Sequence, residues 1–285
     1  MADMIEIQLG QGAQASAPQT TKAEKIDEEF RHIYGLAKGE DMIISSRLPG
    51  LESPDDLKKL VFQLKEETSG VPISFKFAAS HYLEEEIEIA LDAGIDVIVI
   101  DGAEAGTHAG QPLLEDDFGL PTMHALVRAV DFLEGKGVKD QVSIIASGGF
   151  FSPGHFLKAM ALGADAVYIG TAAVMAMIHT QMVETAPFEP PTQLALHSGR
   201  LKDKLDIELA AKSLTNYLNS CVAEMVLGVV ALGKDSLAAV DRHDLCALTP
   251  EVADLTGVEL AYKRKLHDYS QQMELREDTE IREFQ

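Results

Sequence analysis

The chain has 285 residues, 46% hydrophobic and 25% charged. That is ample for one large core, and α/β barrels of about this size fold as a single domain. A formal net charge of −22 opposes nucleic acid and anionic membrane surfaces as partners, so any anionic ligand must be held by local donors.

Taken in order, Met4 to Gly10 alternates polar and apolar residues and reads as a strand with Glu6 and Gln8 on one face. A polar stretch follows to Thr21; long ordered loops in compact domains are often functional. Glu24 to Leu36 is a helix candidate and Asp41 to Ser45 a short strand. Ser53-Pro54-Asp55-Asp56 starts a helix that runs to about Thr68: Ser as N-cap, Pro at the first helical position, acids in the first turn. In the strand Val71 to Phe77, Ile73, Phe75 and Phe77 share one face, and Ser74 and Lys76 the other. In a barrel this turns Lys76 inward near the top, where active sites lie. An acidic helix spans Leu83 to Ala93. The strand Asp96 to Asp101 is apolar enough to be buried on both faces, and a glycine-rich loop follows from Asp101 to Gly110. Pro121 opens a helix to about Leu133.

The most informative stretch comes next. Val142 to Gly149 and Ala166 to Ala172 each read as a short apolar strand ending in glycine and hydroxyl residues, with a helix between them that stops on Gly163. Glycines at strand ends let backbone N–H groups approach a ligand closely. A following helix N-terminus adds donors and a positive dipole end. Two such turns from neighbouring parallel strands can grip one phosphate from two sides, as after the last two strands of a (β/α)8 barrel.

Strands are therefore expected near 4–9, 42–45, 72–77, 96–101, 142–146 and 166–170: about six strand–helix units, against the eight of a closed barrel. An open doubly wound sheet would place its phosphate glycines after the first strand instead. The expected fold is a (β/α)8 TIM-barrel type over 1–180, with a C-terminal helical extension over 181–262 and a charged tail over 263–285. In the extension, Leu205 to Leu232 reads as one long helix, with Leu209, Leu214, Leu218, Met225 and Val229 as a core stripe. Ser236 to Leu245 and Thr249 to Thr256 read as two short helices. Cys221 and Cys246 are far apart and read as small buried apolar residues, which suits a reducing cytoplasm. The longest apolar runs, such as Ala166 to Ile178, read as too short to span a bilayer, and no basic-then-apolar leader opens the chain.

These motifs together resemble the FMN-binding synthase domain of glutamate synthase, and more closely the stand-alone FMN-binding glutamate synthase family. The resemblance runs from Met4 to Tyr262. It is carried by Ile5-Glu6-Ile7 leading to Gln11-Gly12-Ala13, by Lys76, by Ile100-Asp101-Gly102 to Gly106-Thr107, by Gly119-Leu120-Pro121, by Ser147-Gly148-Gly149 and by Gly170-Thr171-Ala172. It implies an oxidoreductase that holds FMN. Ser147, Gly148, Gly149, Gly170 and Thr171 are then expected at the FMN phosphate, Lys76 at the pyrimidine end of the flavin, and Gly102, Gly106 and Thr107 along the cofactor. Gln11 matches a glutamine near the 2-oxoglutarate site, so Lys76 and Gln11 are the catalytic candidates.

Departures from the family matter as well. Met182 to Pro187 stands where the family has cluster-binding cysteines, so no iron–sulfur cluster is expected. Gln8 and Gln14 stand where lysines are usual, removing a partner for a dicarboxylate; Arg47 is a substitute candidate. Two family strands that precede Met4 are missing, which reads as an N-terminal truncation. No glutaminase nucleophile is present, so ammonia would come from solution or another subunit. His108 is a candidate proton donor, His81 and His155 weaker ones, and the histidines form no metal motif.

The resulting expectation is an FMN-dependent, cytoplasmic enzyme that forms glutamate from 2-oxoglutarate and ammonia or glutamine nitrogen. It has an unidentified electron donor as partner, and is a homo-oligomer or is paired with a missing barrel segment. A barrel isomerase or lyase acting on a phosphorylated substrate, and an inactive barrel fragment, are the alternatives.

Overall fold

The computed structural model describes residues 2–12, 17, 19–44, 48–106, 112–185, 190–197 and 199–263. The chain divides into two compact units, Met1–Asp244 and Leu245–Gln285.

The first unit contains β1 (Ile5–Gln8), β2 (Gln19–Thr21), α1 (Glu28–Tyr34), β3 (Met42–Ile44), α2 (Pro54–Thr68), β4 (Ile73–Ala78), α3 (Leu83–Ala93) and β5 (Val97–Asp101). It continues with α4 (Pro112–Asp117), α5 (Thr122–Gly135), β6 (Ser143–Ser147), α6 (Pro153–Ala161), β7 (Ala166–Tyr168), α7 (Thr171–Ile178) and α8 (Ile207–Ala231). Helix starts follow local chemistry. Ser53 accepts from the Asp56 N–H with Pro54 in the first turn of α2, and Asp27 caps α1 through the Phe30 N–H. The Asp27 cap explains why the expected helix from Glu24 is split, with a 3-10 turn at Ala23–Lys25 before α1.

The main sheet is parallel throughout, in the order β1-β4-β5-β6-β7. This is the expected α/β architecture of barrel type, with five strands in the sheet. The strand expected at 42–45 exists as β3, but it pairs antiparallel with β2 in a separate two-stranded sheet. Residues 19–21, read as the end of a loop, supply its partner.

Register shows how the sheet is filled. Ile73, Phe75, Ile98, Ile100 and Ile144 are fully buried on the face that packs against helices, and α5 lies against both β5 and β6. The opposite face carries Glu6, Ser74, Lys76, Asp101, Ser147 and Tyr168. In a flat sheet four inter-strand steps would separate β1 from β7 by about 19 Å. Yet the Tyr168 hydroxyl donates to the Glu6 carboxylate at 3.1 Å. The sheet is therefore strongly curled, with its polar face on the inside, as barrel strands require.

Helix α8 departs from expectation in two ways. Its buried line is Ala210, Ser213, Cys221, Met225 and Val229, while Leu209 and Leu218 are exposed, so only part of the expected stripe is core. Met225 and Cys221 pack with Phe156 of α6, and α7 also lies along the helix. By length and composition alone α8 could cross a membrane, which the sequence reading of the apolar runs did not anticipate. Cys246 is exposed, not buried. The helix expected at 236–245 is present only as two 3-10 turns, Leu237–Ala239 and Arg242–Asp244.

In the second unit, α9 (Pro250–Thr256) is capped by Thr249, and Ala247 bridges to Leu260.

Candidate functional site

The polar face of the curled sheet opens into a cavity of about 470 Å3 at the C-terminal ends of the strands. Drug-sized and cofactor-sized ligands occupy clefts of roughly 300–1,000 Å3. Its wall is built from the turn after β6 (Ser147 to Phe151), the turn after β7 (Tyr168 to Ala172), the loop after β5 (Glu104 to Gly106), and Lys76, Asp101 and Gln11.

Part of the wall is backbone. Among the described residues, the N–H groups of Gly148, Gly149, Gly170 and Thr171 donate to no protein acceptor. Gly148 has φ +124°, and a Cβ built there would sit 2.3 Å from Thr122 Oγ1, so only glycine fits. Gly170 is different: a Cβ there meets nothing within 4 Å. That empty space faces the cavity and α7 begins immediately after it. The turn after β6 is held from behind by Thr122, the first residue of α5. Its N–H and hydroxyl both donate to Glu104, at 2.8 and 2.7 Å, and the hydroxyl also lies 3.4 Å from the Ser147 carbonyl. Glu104 thereby caps α5 from a distant part of the chain.

Another part of the wall is made of side chains. Lys76 Nζ is 3.3 Å from Asp101 Oδ2 and 5.9 Å from the centre of the Tyr168 ring. The Asp101 side chain is 0% exposed and that of Lys76 15%. Asp101 Oδ2 also accepts from the Gly12 N–H at 3.3 Å, which ties the loop after β1 to the lysine. Asp101 Oδ1 is buried and has no partner among the described residues. Gln11 donates from Nε2 to the Ala105 carbonyl at 3.3 Å. Burial, reinforced by the nearby Glu6 carboxylate, pushes the Tyr168 phenol above its ordinary range.

Eight of the residues singled out from sequence line this one cavity: Gln11, Lys76, Gly106, Ser147, Gly148, Gly149, Gly170 and Thr171. Gly102 does not. It is buried, and a Cβ on it would overlap Thr122, so it serves close packing behind the wall. Thr107, His108 and Arg47 lie outside the described residues. His81 and His155 do not line the cavity. Sequence reasoning gave no role to Asp101, Tyr168, Glu104 or Thr122. The parity of β5 contained a signal, because Asp101 is the acidic end of an otherwise apolar strand. The pairing of Glu104 with Thr122 left none.

The chain matches the family described as "Conserved region in glutamate synthase" over residues 1–235. It is 34% identical over 279 residues to a glutamate synthase large subunit-like protein of Rhizobium meliloti (strain 1021), covering 91% of this chain and 62% of that protein. It is 30% identical over 263 residues to an archaeal-type glutamate synthase [NADPH] of Dehalococcoides mccartyi, covering 90% and 53%. Among solved structures, a flavocytochrome b2 mutant with pyruvate bound is similar over 92% of this chain and 51% of that one, at 19% identity and a TM-score of 0.46. The chain thus spans between half and two thirds of the length of these curated relatives. With the conserved region matched across most of its residues, the chain belongs to the glutamate synthase family.

Proposed function

We propose that the cavity is an FMN site and that the chain acts as an FMN-dependent oxidoreductase of the glutamate synthase type. The observation that carries this reading is one cavity lined by two unlike sets of groups: open backbone donors at Gly148, Gly149, Gly170 and Thr171, and the Lys76 ammonium. The open amides fit a phosphate, because they are uncharged donors, three of them on glycines, and Gly170 and Thr171 stand at the start of α7. Lys76 fits the pyrimidine end of a flavin. Gly106 and Gln11 line the same cavity, Gly106 being read as a cofactor contact and Gln11 as a substrate contact.

FMN, when bound, supplies hydride transfer to an oxo acid or imine. The chain's own contribution is to bind and orient. The two glycine turns anchor the phosphate, and Lys76, pinned by Asp101, brings a fixed positive charge to the ring. In the reading proposed here the product is glutamate, formed from 2-oxoglutarate with ammonia or glutamine nitrogen, and a separate donor supplies the electrons. No iron–sulfur cluster takes part. The barrel portion over 1–180 carries the chemistry, and a helical extension follows over 181–262.

The test is a fluorescence-quench titration of the purified chain with FMN. Stoichiometric binding that is lost when riboflavin replaces FMN supports the reading, because only the phosphate differs. Equal affinity for both, or binding of neither, sinks it. Binding of simple phosphate esters without flavin would favour an isomerase or lyase instead.

A further inference from the structure

Lys76 has a role in the proposed FMN site, whereas the second carboxylate oxygen of its partner Asp101 has none. Asp101 is fully buried at the cavity wall, and its Oδ1 has no hydrogen-bond partner among the described residues, whereas Oδ2 holds both Lys76 Nζ and the Gly12 N–H. A buried carboxylate oxygen without a donor is costly, and native proteins satisfy nearly all such atoms. An amide or hydroxyl could have been supplied from within the chain. Ser147 is the in-register neighbour of Asp101 on β6, yet it gives Asp101 no hydrogen bond. The unmet acceptor therefore calls for a donor from the ligand.

We infer that Asp101 and Lys76 act together as a reader of the ligand's ring edge, accepting an N–H and donating to the carbonyl beside it. This rests on the FMN reading above, where the edge in question is the imide of the pyrimidine ring. The two side chains offer one acceptor and one donor side by side, the complement of a carbonyl next to an N–H. A point-charge lysine alone would serve any anion; the added carboxylate selects a ring that carries the N–H and rejects one that does not. Because Asp101 is closed off from solvent, the N–H reaches it as Lys76 turns from the carboxylate to the ligand carbonyl. A half-turn of the carboxylate is open to Asp, whose terminal torsion is broad and two-fold. Asp101 is thus a specificity residue for the cofactor, while its bond to Gly12 keeps the Gln11 loop in place.

The experiment compares FMN with 3-methyl-FMN, in which a methyl group replaces the N–H, by fluorescence titration against the natural chain and Asp101→Ala. The natural chain should bind 3-methyl-FMN about tenfold or more weakly, the size expected for losing a hydrogen bond to a charged group. Asp101→Ala should bind the two flavins within about twofold of each other, as a lost interaction term requires. Steric conflict could imitate that pattern, so 15N-labelled FMN supplies a second readout. Its N3–H proton resonance should be sharp and protected in the natural chain, and exchange-broadened in Asp101→Ala and Asp101→Leu. Equal affinity of the natural chain for both flavins, or an N3–H that exchanges freely in it, overturns the inference while leaving the FMN site standing. Failure to bind either flavin overturns both. Should Asp101→Ala not fold, the affinity ratio and the N3–H exchange of the natural chain decide alone.

Discussion

Tyr168 donates a 3.1 Å hydrogen bond to Glu6, although the two residues stand on the outermost strands of the parallel sheet. The bond joins β1 to β7 through side chains where no backbone pairing exists. Replacing Tyr168 with Phe removes it and leaves the partly buried carboxylate short of a donor. The expected cost is about 1–2 kcal/mol, a fall of several degrees in the thermal midpoint, read by calorimetry. The phenol's raised pKa also gives a sign. The folded state holds the proton more tightly than the unfolded chain, so this stabilising contribution is complete below the ordinary tyrosine pKa and fades as pH rises past it. Tyr168→Phe should therefore lose less stability than the natural chain between about pH 9 and 11, by denaturant titration.

Lys76 and Asp101 form a nearly dry ion pair. Removing only the lysine, as Lys76→Met, strands a buried carboxylate and should cost about 3 kcal/mol or more. Lys76→Met with Asp101→Asn should recover part of that loss. A double-mutant cycle in urea measures the coupling, and additive effects would refute the pairing.

Two glycines of the same cavity should behave oppositely. Gly148→Ala forces a side chain into φ +124° and against Thr122, so it should reduce stability by about 2 kcal/mol or more. Gly170→Ala meets no neighbour and should shift stability by about 1 kcal/mol at most. If the open space is the phosphate seat, that quiet substitution should still weaken FMN binding tenfold or more, by about 1.4 kcal/mol. Thermal melts beside flavin titrations separate the two outcomes.

Glu104 caps α5 through both the N–H and the hydroxyl of Thr122. Glu104→Ala should destabilise by about 1 kcal/mol, the usual weight of a lost cap. Hydrogen exchange should show the added opening in the first turn of α5 and not in α2.

Glu86 lines a second, mostly apolar cavity of about 430 Å3, and its buried Oε2 has no partner among the described residues. Burial holds its pKa above the ordinary glutamate value. Its protonated form is the one the fold prefers, so stability from this group is present below the unfolded pKa and is lost as pH rises through the folded one. Glu86→Gln should consequently stabilise the protein near neutral pH and have little effect near pH 4. An equal gain at both pH values would contradict this.

Much of this molecule can be read from local pattern. Alternation located β1 and β4, and apolar runs located β5, β6 and β7. Ser53-Pro54 and Gly94 marked helix ends, and the glycine–hydroxyl turns at 147–149 and 170–171 pointed to an anion cradle. All of these depend on neighbours in the chain, where backbone geometry and short-range periodicity act. What the tertiary structure alone decided involves partners far apart in sequence. Met42–Ile44 has the pattern of any short strand, and only its pairing with Gln19–Thr21 removes it from the parallel sheet. The buried line of α8 depends on where α6 and α7 lie, so Leu209 and Leu218 face outward despite their spacing. Lys76 could be placed inward from strand parity, but its partner Asp101, 25 positions later, is set by the register between β4 and β5. The sequence by itself determined the strands of the parallel sheet, most of the helices and the donor-rich turns, because these follow from propensity and period. The curl of the sheet and the choice of who meets whom inside it came from packing, a property of the whole chain at once.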